Sequence, residues 1–248
     1  LESNAAFVMV KRGGAVTSTL FLEKPNARTA LYLGDRKTPQ EVAASLGLGA
    51  RFTDELTKVA DSLAKTGLPF YAISDAQSAE FDSRDSLSFG RNFVVDFMQR
   101  HPTVKVVDAS KQVEQLRAKK SEAELAIITK AAEISAKAHE EVMRTIRPGM
   151  KESEIQAIME ATYRKLGADG PGYTSIVGAG GNSTILHWPA SFREAKAGEV
   201  VLMDVAAYYD GYSADVTRTL PVDGTYTPEA RVVYQIVLDA QKAAERQI

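Results

Sequence analysis

The stretch VLMDVAAYYDGYSADVTRTL, residues 201–220, decides the fold of the second half of this sequence. Asp210 and Gly211 are typical of a two-residue hairpin loop, because a type I′ turn needs a positive φ angle at both positions. With these two residues as the loop, Tyr209 faces Tyr212 across the hairpin. The sequence therefore predicts two long antiparallel strands in a fixed register.

This register places two acidic residues on one face of the hairpin. Asp204 lies opposite Thr217, and Ala206 lies opposite Asp215. Side chains alternate between the two faces of a strand, so all four project from the same face. The aspartates are then diagonal neighbours, about 7–8 Å apart at the backbone, and their side chains can converge on a small ligand beside Ala206.

Two ionised carboxylates in an apolar setting repel each other unless one takes up a proton or a cation lies between them. Oxygen ligands of this kind suit hard or borderline divalent metals such as manganese, and hydrolases commonly use two such metals. The register alone is equally compatible with an ordinary half-exposed hairpin whose aspartates face solvent. Both interpretations stay open on these residues.

The composition narrows the class of protein. Hydrophobic residues make up 44% and charged residues 25% of 248 positions, which is typical of a globular chain of one or two domains. The 30 basic and 32 acidic residues nearly cancel, so we expect no nucleic-acid partner. Cysteine is absent, which excludes disulfides and thiolate metal ligands.

The sequence carries no addressing signal that we can identify. It has no apolar run of about eighteen residues, so we expect no membrane span. Its first residue is Leu1 rather than methionine, and the opening stretch LESNAAFVMV has no signal-peptide pattern. We therefore expect a piece of a longer protein and, by default, a cytoplasmic location.

Residues 173–189, YTSIVGAGGNSTILHWP, precede the hairpin. Their glycines do not complete a phosphate-binding pattern, so we expect a tight turn between strands. His187 lies between two apolar residues, and taken alone such a histidine is more often a core residue than a catalytic one. His101 and His139 are expected at the surface.

Residues 1–110 mix short apolar runs with helical patterns and predict a small α/β domain that ends between residues 110 and 111. The predicted elements are strands at 5–10, 18–23, 29–34, 69–74 and 104–109, helices at about 38–45, 54–64 and 91–99, and a polar loop at 76–89.

Longer helices are predicted beyond residue 110. Ser121, followed three residues later by Glu124, is a capping-box signature for a helix that Pro148 ends. A second helix is predicted at about 152–166. A last one begins after Thr227, whose following proline suits the first helical position.

The order of four segments resembles the pita-bread metallopeptidases, most closely the branch of Xaa-Pro aminopeptidase (aminopeptidase P) and prolidase. These segments are LRAKKSEAELAIITKAA, IRPGMKESEI, YTSIVGAGGNSTILHW and MDVAAYYDGYSADVTRTLPV. The family's hairpin has an aspartate, ten intervening residues, a second aspartate and then x-T-R-T. Asp204, Asp215 and the run from Thr217 to Thr219 match this pattern.

The resemblance implies an α/β (α+β) fold with two parts. Residues 1–110 resemble the creatinase-like amino-terminal domain of this branch, incomplete at its start. Residues 111–248 resemble the first half of the pita-bread catalytic domain.

The resemblance also implies roles for single residues. Asp204 would bind one metal ion through both carboxylate oxygens, Asp215 would bridge two ions, and Thr217 would support the ligands beside it. His187, at the end of an I-L-H segment, would contact the scissile carbonyl. The implied cofactors are two divalent metal ions, expected to be Mn²⁺, with Zn²⁺ or Co²⁺ as alternatives.

The implied reaction is hydrolysis of the bond between an amino-terminal residue and a following proline. Three alternatives stay open: a prolidase acting on Xaa-Pro dipeptides, a hydrolase of the creatinase kind that works through histidine, and an inactive pita-bread binding module. The implied partners are a peptide with proline at its second position and, as is common in the family, a second copy of the chain.

The sequence departs from the family pattern in two ways. Ala206 stands where the family usually has glycine. The family's remaining ligands, a histidine and two glutamates from the second half of the fold, have no counterpart before Ile248. We therefore expect this chain alone to bind metal weakly and to be inactive, with the missing carboxy-terminal half supplied by further sequence or by a separate chain.

Overall fold

The computed structural model describes residues 5–34, 36–73 and 89–247. The chain divides into two compact units, residues 1–119 and 120–248. Over the described ranges, no helix combines the length and the hydrophobicity that crossing a membrane requires.

The first unit mixes helices with two small sheets. Its elements are β1 (Ala6–Arg12), β2 (Ala15–Leu22), α1 (Ala27–Leu33), α2 (Pro39–Leu46), β3 (Gly49–Phe52), α3 (Leu56–Ala64), β4 (Phe70–Ala72), α4 (Phe89–Arg100), β5 (Val106–Asp108) and α5 (Ser110–Ala118). Strand β2 pairs antiparallel with β1 and parallel with β3, while β4 and β5 form a separate parallel pair. The predicted polar loop at 76–89 lies almost entirely outside the described residues.

The strand predicted at 29–34 is wrong, because this segment forms helix α1. The Ala30 N–H donates to the Asn26 carbonyl at 2.9 Å, and the Gly34 N–H donates to the Ala30 carbonyl at 2.9 Å. Gly34 then leaves the helix with a φ of 77°. A short apolar run has no periodicity that separates a strand from a helix, which explains the error.

The second unit contains three helices and a four-stranded sheet, and helices α6 and α7 pack on that sheet. Its elements are α6 (Glu122–Thr145), α7 (Glu152–Lys165), β6 (Gly170–Pro171), β7 (Ile176–Ala179), β8 (Val200–Tyr209), β9 (Tyr212–Pro221) and α8 (Pro228–Glu245). Strands β6 and β7 pair with successive stretches of β8, and β9 pairs with its full length. All these pairings are antiparallel.

The predicted helix caps of this unit are confirmed. The Glu124 carboxylate accepts the Ser121 N–H at 2.7 Å, and the Ser121 hydroxyl accepts the Glu124 N–H at 3.3 Å. Helix α6 ends at Thr145, three residues before Pro148. At α8 the Thr227 hydroxyl accepts a backbone N–H of the first turn.

The predicted hairpin register is also confirmed. Asp204 pairs with Thr217, and Ala206 pairs with Asp215. Asp210 and Gly211 have φ angles of 46° and 91°, as a type I′ loop requires. The local turn therefore fixes which side chains share a face.

One face of this hairpin packs on helices α6 and α7. The buried residues of that core include Ile134, Ala138, Val142, Ile155, Met159, Tyr163, Val201, Met203, Val205 and Ala207. The odd-numbered positions of β8 belong to this core, so its even-numbered positions project from the opposite face.

Helix α6 also contacts the main chain of the hairpin. The Ser135 hydroxyl donates to the Ala214 carbonyl at 2.9 Å and accepts the Ala207 N–H at 2.9 Å. His139 Nε2 lies 2.9 Å from the Val216 carbonyl oxygen. His139 is only 2% exposed, so its predicted surface position is wrong: it lies one residue beyond Ala138 on the buried side of the helix.

Candidate metal centre

The face of the hairpin that points away from α6 and α7 carries the predicted ligands. We call it the acid face and define it by Asp204, Ala206, Asp215 and Thr217. Ala206 is fully buried and Asp204 is half-buried, whereas Asp215 and Thr217 are exposed. The acid face therefore has a buried alanine on β8 and solvent-exposed side chains on β9.

Tyr173 joins the two aspartates. Its hydroxyl oxygen lies 2.5 Å from Asp204 Oδ1 and 2.8 Å from Asp215 Oδ1. A phenol carries a single hydrogen, so it donates to one carboxylate at a time. Because both carboxylates lie within hydrogen-bond distance of the same hydroxyl oxygen, they converge on one point, as a shared small ligand would require.

The strand geometry places this tyrosine on the acid face. Ile176 pairs with Asp204, and the Gly172 N–H donates to the Ala206 carbonyl at 2.9 Å. A Cβ atom at Gly172 would lie 2.4 Å from the Ser213 hydroxyl oxygen, so only glycine permits this close approach. The segment before β7 therefore lies directly against the hairpin.

The electrostatic setting keeps the tyrosine protonated. Burial raises the pKa of Tyr173 far above its ordinary value, and the hydrogen bonds to Asp204 and Asp215 raise the pKa further. The hydroxyl therefore acts as a hydrogen-bond donor to the acid pair.

Among the residues that the structure describes, the side chains of the other two predicted site residues make no hydrogen bond to Asp204, Asp215 or Tyr173. Thr217 lies opposite Asp204 in the sheet, with an exposed side chain. His187 is exposed in the turn that follows the 3₁₀ segment Gly180–Thr184, and its ring makes no hydrogen bond to any residue that the structure describes. The expected tight turn between strands is thus a 3₁₀ turn that leads into a longer loop.

The ligand count of this chain is low for a metal site. Within residues 5–34, 36–73 and 89–247, no group of three or more His, Cys, Asp or Glu side chains is arranged to hold a metal ion. Asp204 and Asp215 therefore form at most part of a coordination sphere.

Sequence reasoning missed two residues of this region. The sequence indicates no role for Tyr173, because its contact with the aspartates depends on the pairing of β7 with β8, for which the sequence has no local signal. The sequence position of Glu152, in the first turn of a helix, is typical of a solvent-exposed acid, yet Glu152 is fully buried. The one sequence feature that hints at this burial is the position of Glu152 directly before the apolar positions of the helix.

Known proteins resemble this chain in sequence. The sequence profile described as metallopeptidase family M24 matches residues 126–248. The Xaa-Pro aminopeptidase of Escherichia coli (strain K12) is 38% identical over 141 residues, 57% of this chain and 32% of that protein. The Xaa-Pro aminopeptidase of Haemophilus influenzae is 28% identical over 244 residues, 98% of this chain and 54% of that protein.

Solved structures show the same likeness. Proline aminopeptidase P II from Yersinia pestis is 30% identical, with a TM-score of 0.83 over 97% of this chain and 56% of that chain. Zn-substituted E. coli aminopeptidase P in complex with product is 28% identical, with a TM-score of 0.85 over 99% of this chain and 56% of that chain. The expected α/β fold with a pita-bread portion is confirmed.

The chain spans about half or less of the length of these curated relatives. The hairpin, its acid face and the helices behind it all lie within the matched segment. Residues 126–248 of this chain belong to metallopeptidase family M24.

Proposed function

We propose that this chain supplies part of the active site of a metal-dependent aminopeptidase that removes the first residue of a peptide with proline in second position. The convergence of Asp204 and Asp215 on one point of the acid face carries the proposal. Relatives that bear the name Xaa-Pro aminopeptidase support the reaction class.

The donor set suits two divalent metal ions, with Mn²⁺ as the first choice and Zn²⁺ or Co²⁺ as alternatives. Carboxylate oxygens are the ligands that hard and borderline divalent ions prefer, and the small Ala206 leaves room between them. When bound, such ions supply Lewis acidity toward a peptide carbonyl and toward water.

The residues of this chain then divide the remaining tasks. Asp204 would chelate one ion, Asp215 would bridge both, and Thr217 would support Asp215 from the neighbouring position on β9. Tyr173 would donate its hydrogen to a carboxylate oxygen that is not engaged by metal. His187 would donate to the carbonyl oxygen of the scissile bond and so stabilise the charge that develops there.

The remaining ligands come from outside residues 1–248 in this proposal, from further sequence or from a separate chain. Helix α8 supports it, because none of its residues is buried and its apolar side chains form an exposed stripe. The members of this stripe are Val232, Val233, Ile236 and Val237. Apolar surface of this extent is typical of a face that another segment covers.

The domain assignment also belongs to the proposal, with a boundary that lies nine residues before the division of the structure after residue 119. Residues 1–110 would be the creatinase-like amino-terminal domain, and residues 111–248 the first half of the pita-bread domain. A homodimer and a cytoplasmic location stay predictions.

The test compares residues 1–248 alone with the same chain completed by the segment that supplies the other ligands. We expect metal-dependent release of arginine from Arg-Pro-Pro by the completed protein only. Asp204→Asn and Asp215→Asn should each weaken metal binding about 10–100-fold and abolish release. Turnover by residues 1–248 alone, lost on adding a chelator, would contradict the proposed incompleteness.

The choice of substrate separates the alternatives. Faster hydrolysis of the dipeptide Gly-Pro than of Arg-Pro-Pro would identify a prolidase instead. Metal binding without hydrolysis of either peptide would identify a binding module.

A further inference from the structure

One buried carboxylate, that of Glu152, has no role in the proposed reaction. Glu152 is the first residue of α7 and is fully buried. Its two oxygens accept five hydrogen bonds, from the Ala179 N–H at 2.8 Å, Asn182 Nδ2 at 2.9 Å, Trp188 Nε1 at 3.0 Å, the Ser191 N–H at 3.0 Å and the Ser191 hydroxyl at 2.5 Å. A buried charge is tolerated when it is saturated with donors in this way.

The carboxylate is held in its ionised form. Burial alone would raise the pKa of Glu152, but the hydrogen bonds from Ser191, Ala179, Trp188 and Asn182 outweigh burial and hold the pKa below its ordinary value. An ionised carboxylate only accepts, so all five donors are matched.

The five donors come from both ends of one segment. They lie at positions 179, 182, 188 and 191, and the exposed His187 lies between them, next to Trp188. The ring of His187 makes no hydrogen bond to the residues that the structure describes, so its position depends on how this segment is held. The Glu152 carboxylate contacts both ends of this segment, and at the far end the Ser153 N–H of α7 also donates to the Ser191 carbonyl at 3.0 Å.

Close packing at the start of the segment leaves few alternative conformations. A Cβ atom at Gly178 would lie 2.8 Å from the backbone of Asn182. At Gly180, where φ is 54°, it would lie 2.6 Å from Glu199 Oε1. Arg193 holds that glutamate by two hydrogen bonds of 2.6 and 2.9 Å. The segment is thus fixed at its start by packing and at both ends by Glu152.

We propose that Glu152 is a positioning residue that clamps residues 179–191 and thereby sets the place of His187 relative to the substrate. This inference rests on the proposed role of His187. Glutamine at position 152 would keep the shape but would turn an amide N–H₂ toward N–H and O–H donors, so it would break the clamp without creating a cavity.

The first test is hydrogen exchange of Glu152→Gln, read by mass spectrometry on the completed, metal-loaded protein. Glu154→Gln is the matched control, because it makes the same charge change in the same helical turn, and the glutamine amide oxygen can still accept the Lys151 N–H that Glu154 accepts at 2.8 Å. We expect faster exchange at residues 179–191 in Glu152→Gln alone, with residues 200–221 unchanged. Unchanged exchange at 179–191 would overturn the inference.

The second test asks whether Glu152 acts through His187. We expect Glu152→Gln to lower kcat about 10–100-fold with little change in KM, as misplacement of a catalytic group does. In a His187→Ala background the same substitution should have no further effect on kcat. An equal loss in both backgrounds would show a general structural role and overturn the inference.

The two tests separate this inference from the proposed function. If His187→Ala leaves kcat unchanged, the proposed role of His187 is refuted, and so is the catalytic part of this inference. The hydrogen-exchange result would still decide whether Glu152 holds the segment. If Glu152→Gln fails to fold, Ser191→Ala keeps the carboxylate and removes one donor. Ser191→Ala should also increase hydrogen exchange at residues 179–191, but by less than Glu152→Gln. No increase at these residues would overturn the inference that Glu152 holds the segment.

Discussion

His139 illustrates how a single buried ring links stability to pH. Its Nε2 faces the Val216 carbonyl, and its Nδ1 is buried with no hydrogen-bond partner among the residues that the structure describes. Burial lowers the pKa of His139 and the charge of Arg218 lowers it further, while the contact with the carbonyl opposes both. The folded chain therefore holds this ring neutral.

We predict that the free energy of unfolding falls as pH is lowered through about 6.5. Between that value and the lower pKa of the folded chain, the unfolded chain binds a proton that the folded chain does not, and this difference favours unfolding. His139→Gln should have a flatter dependence in urea titrations between pH 7.5 and 5.5. The control Lys137→Gln, at an exposed position of α6, should keep the wild-type slope; equal slopes in both variants would contradict the prediction.

Residues whose role follows from local rules were predictable, and residues whose role depends on distant partners were not. Asp204 and Asp215 share a face because the turn between them sets the register. Tyr173 reaches both only through a strand pairing, and Glu152 is buried only because residues 179–191 fold over it. A local sequence pattern does not indicate either contact, because each contact depends on residues that are distant in the chain.

At the scale of elements, the hairpin loop determines the geometry of the acid face. We predict that Gly211→Ala costs about 1–2 kcal/mol in the free energy of unfolding, because residue 211 has a φ of 91° that L-residues with a Cβ avoid. The measurement is urea unfolding. Gly181→Ala serves as the control, since its Cβ would meet open space, and should change stability by less than about 0.5 kcal/mol. Similar losses in both variants would argue against the turn as the cause.

The serine that links α6 to the hairpin gives a second prediction at this scale. Ser135→Ala should destabilise the chain by about 1–3 kcal/mol, because it leaves the buried Ala207 N–H and Ala214 carbonyl without their hydroxyl partner. Ser153→Ala, at a half-buried position of α7, is the comparison and should be nearly neutral. A neutral Ser135→Ala would contradict the prediction and show that the pairing of Ala207 with Ala214 holds without the hydroxyl.

Helices with strong end signals were predicted, whereas the short elements were predicted only in part: β4 and β5 lie within predicted strands, but α1 and β3 do not match the prediction. The capping box at Ser121 and the proline after Thr227 located helix starts correctly, because these signals satisfy backbone groups locally. The four-residue strand β3 has no counterpart among the predicted elements, and α1 forms where the sequence predicts a strand. Their conformation follows from neighbouring elements rather than from their own periodicity.

At the scale of the whole molecule, the exposed stripe of α8 has a measurable consequence. We predict that residues 1–248 alone self-associate, and that Val232→Lys with Ile236→Lys reduces this association, because the substituted side chains are 61% and 63% exposed and lie one helical turn apart. Sedimentation velocity is the measurement. Gln241→Lys adds charge to an exposed polar position of the same helix and should have little effect. The same double substitution should weaken binding of the completing segment.

The sequence predicted that Asp204 and Asp215 lie on one face of the hairpin, and the register confirms this placement, while their binding of metal stays a proposal. The spacing of the two aspartates indicated the acid face, and the ligand count indicated that further residues are needed. The segment proposed to complete the site was not predictable, because an exposed apolar stripe does not indicate the sequence of whatever would cover it.

The contacts of α6 with the hairpin have an evolutionary consequence. Ser135 and His139 hold the main chain of Ala207, Ala214 and Val216, from the face opposite the acids. Mutational drift at the two aspartates therefore leaves this attachment intact. A lineage can lose the chemistry and keep the scaffold, so inactive descendants that serve only as binding proteins are an accessible outcome for this architecture.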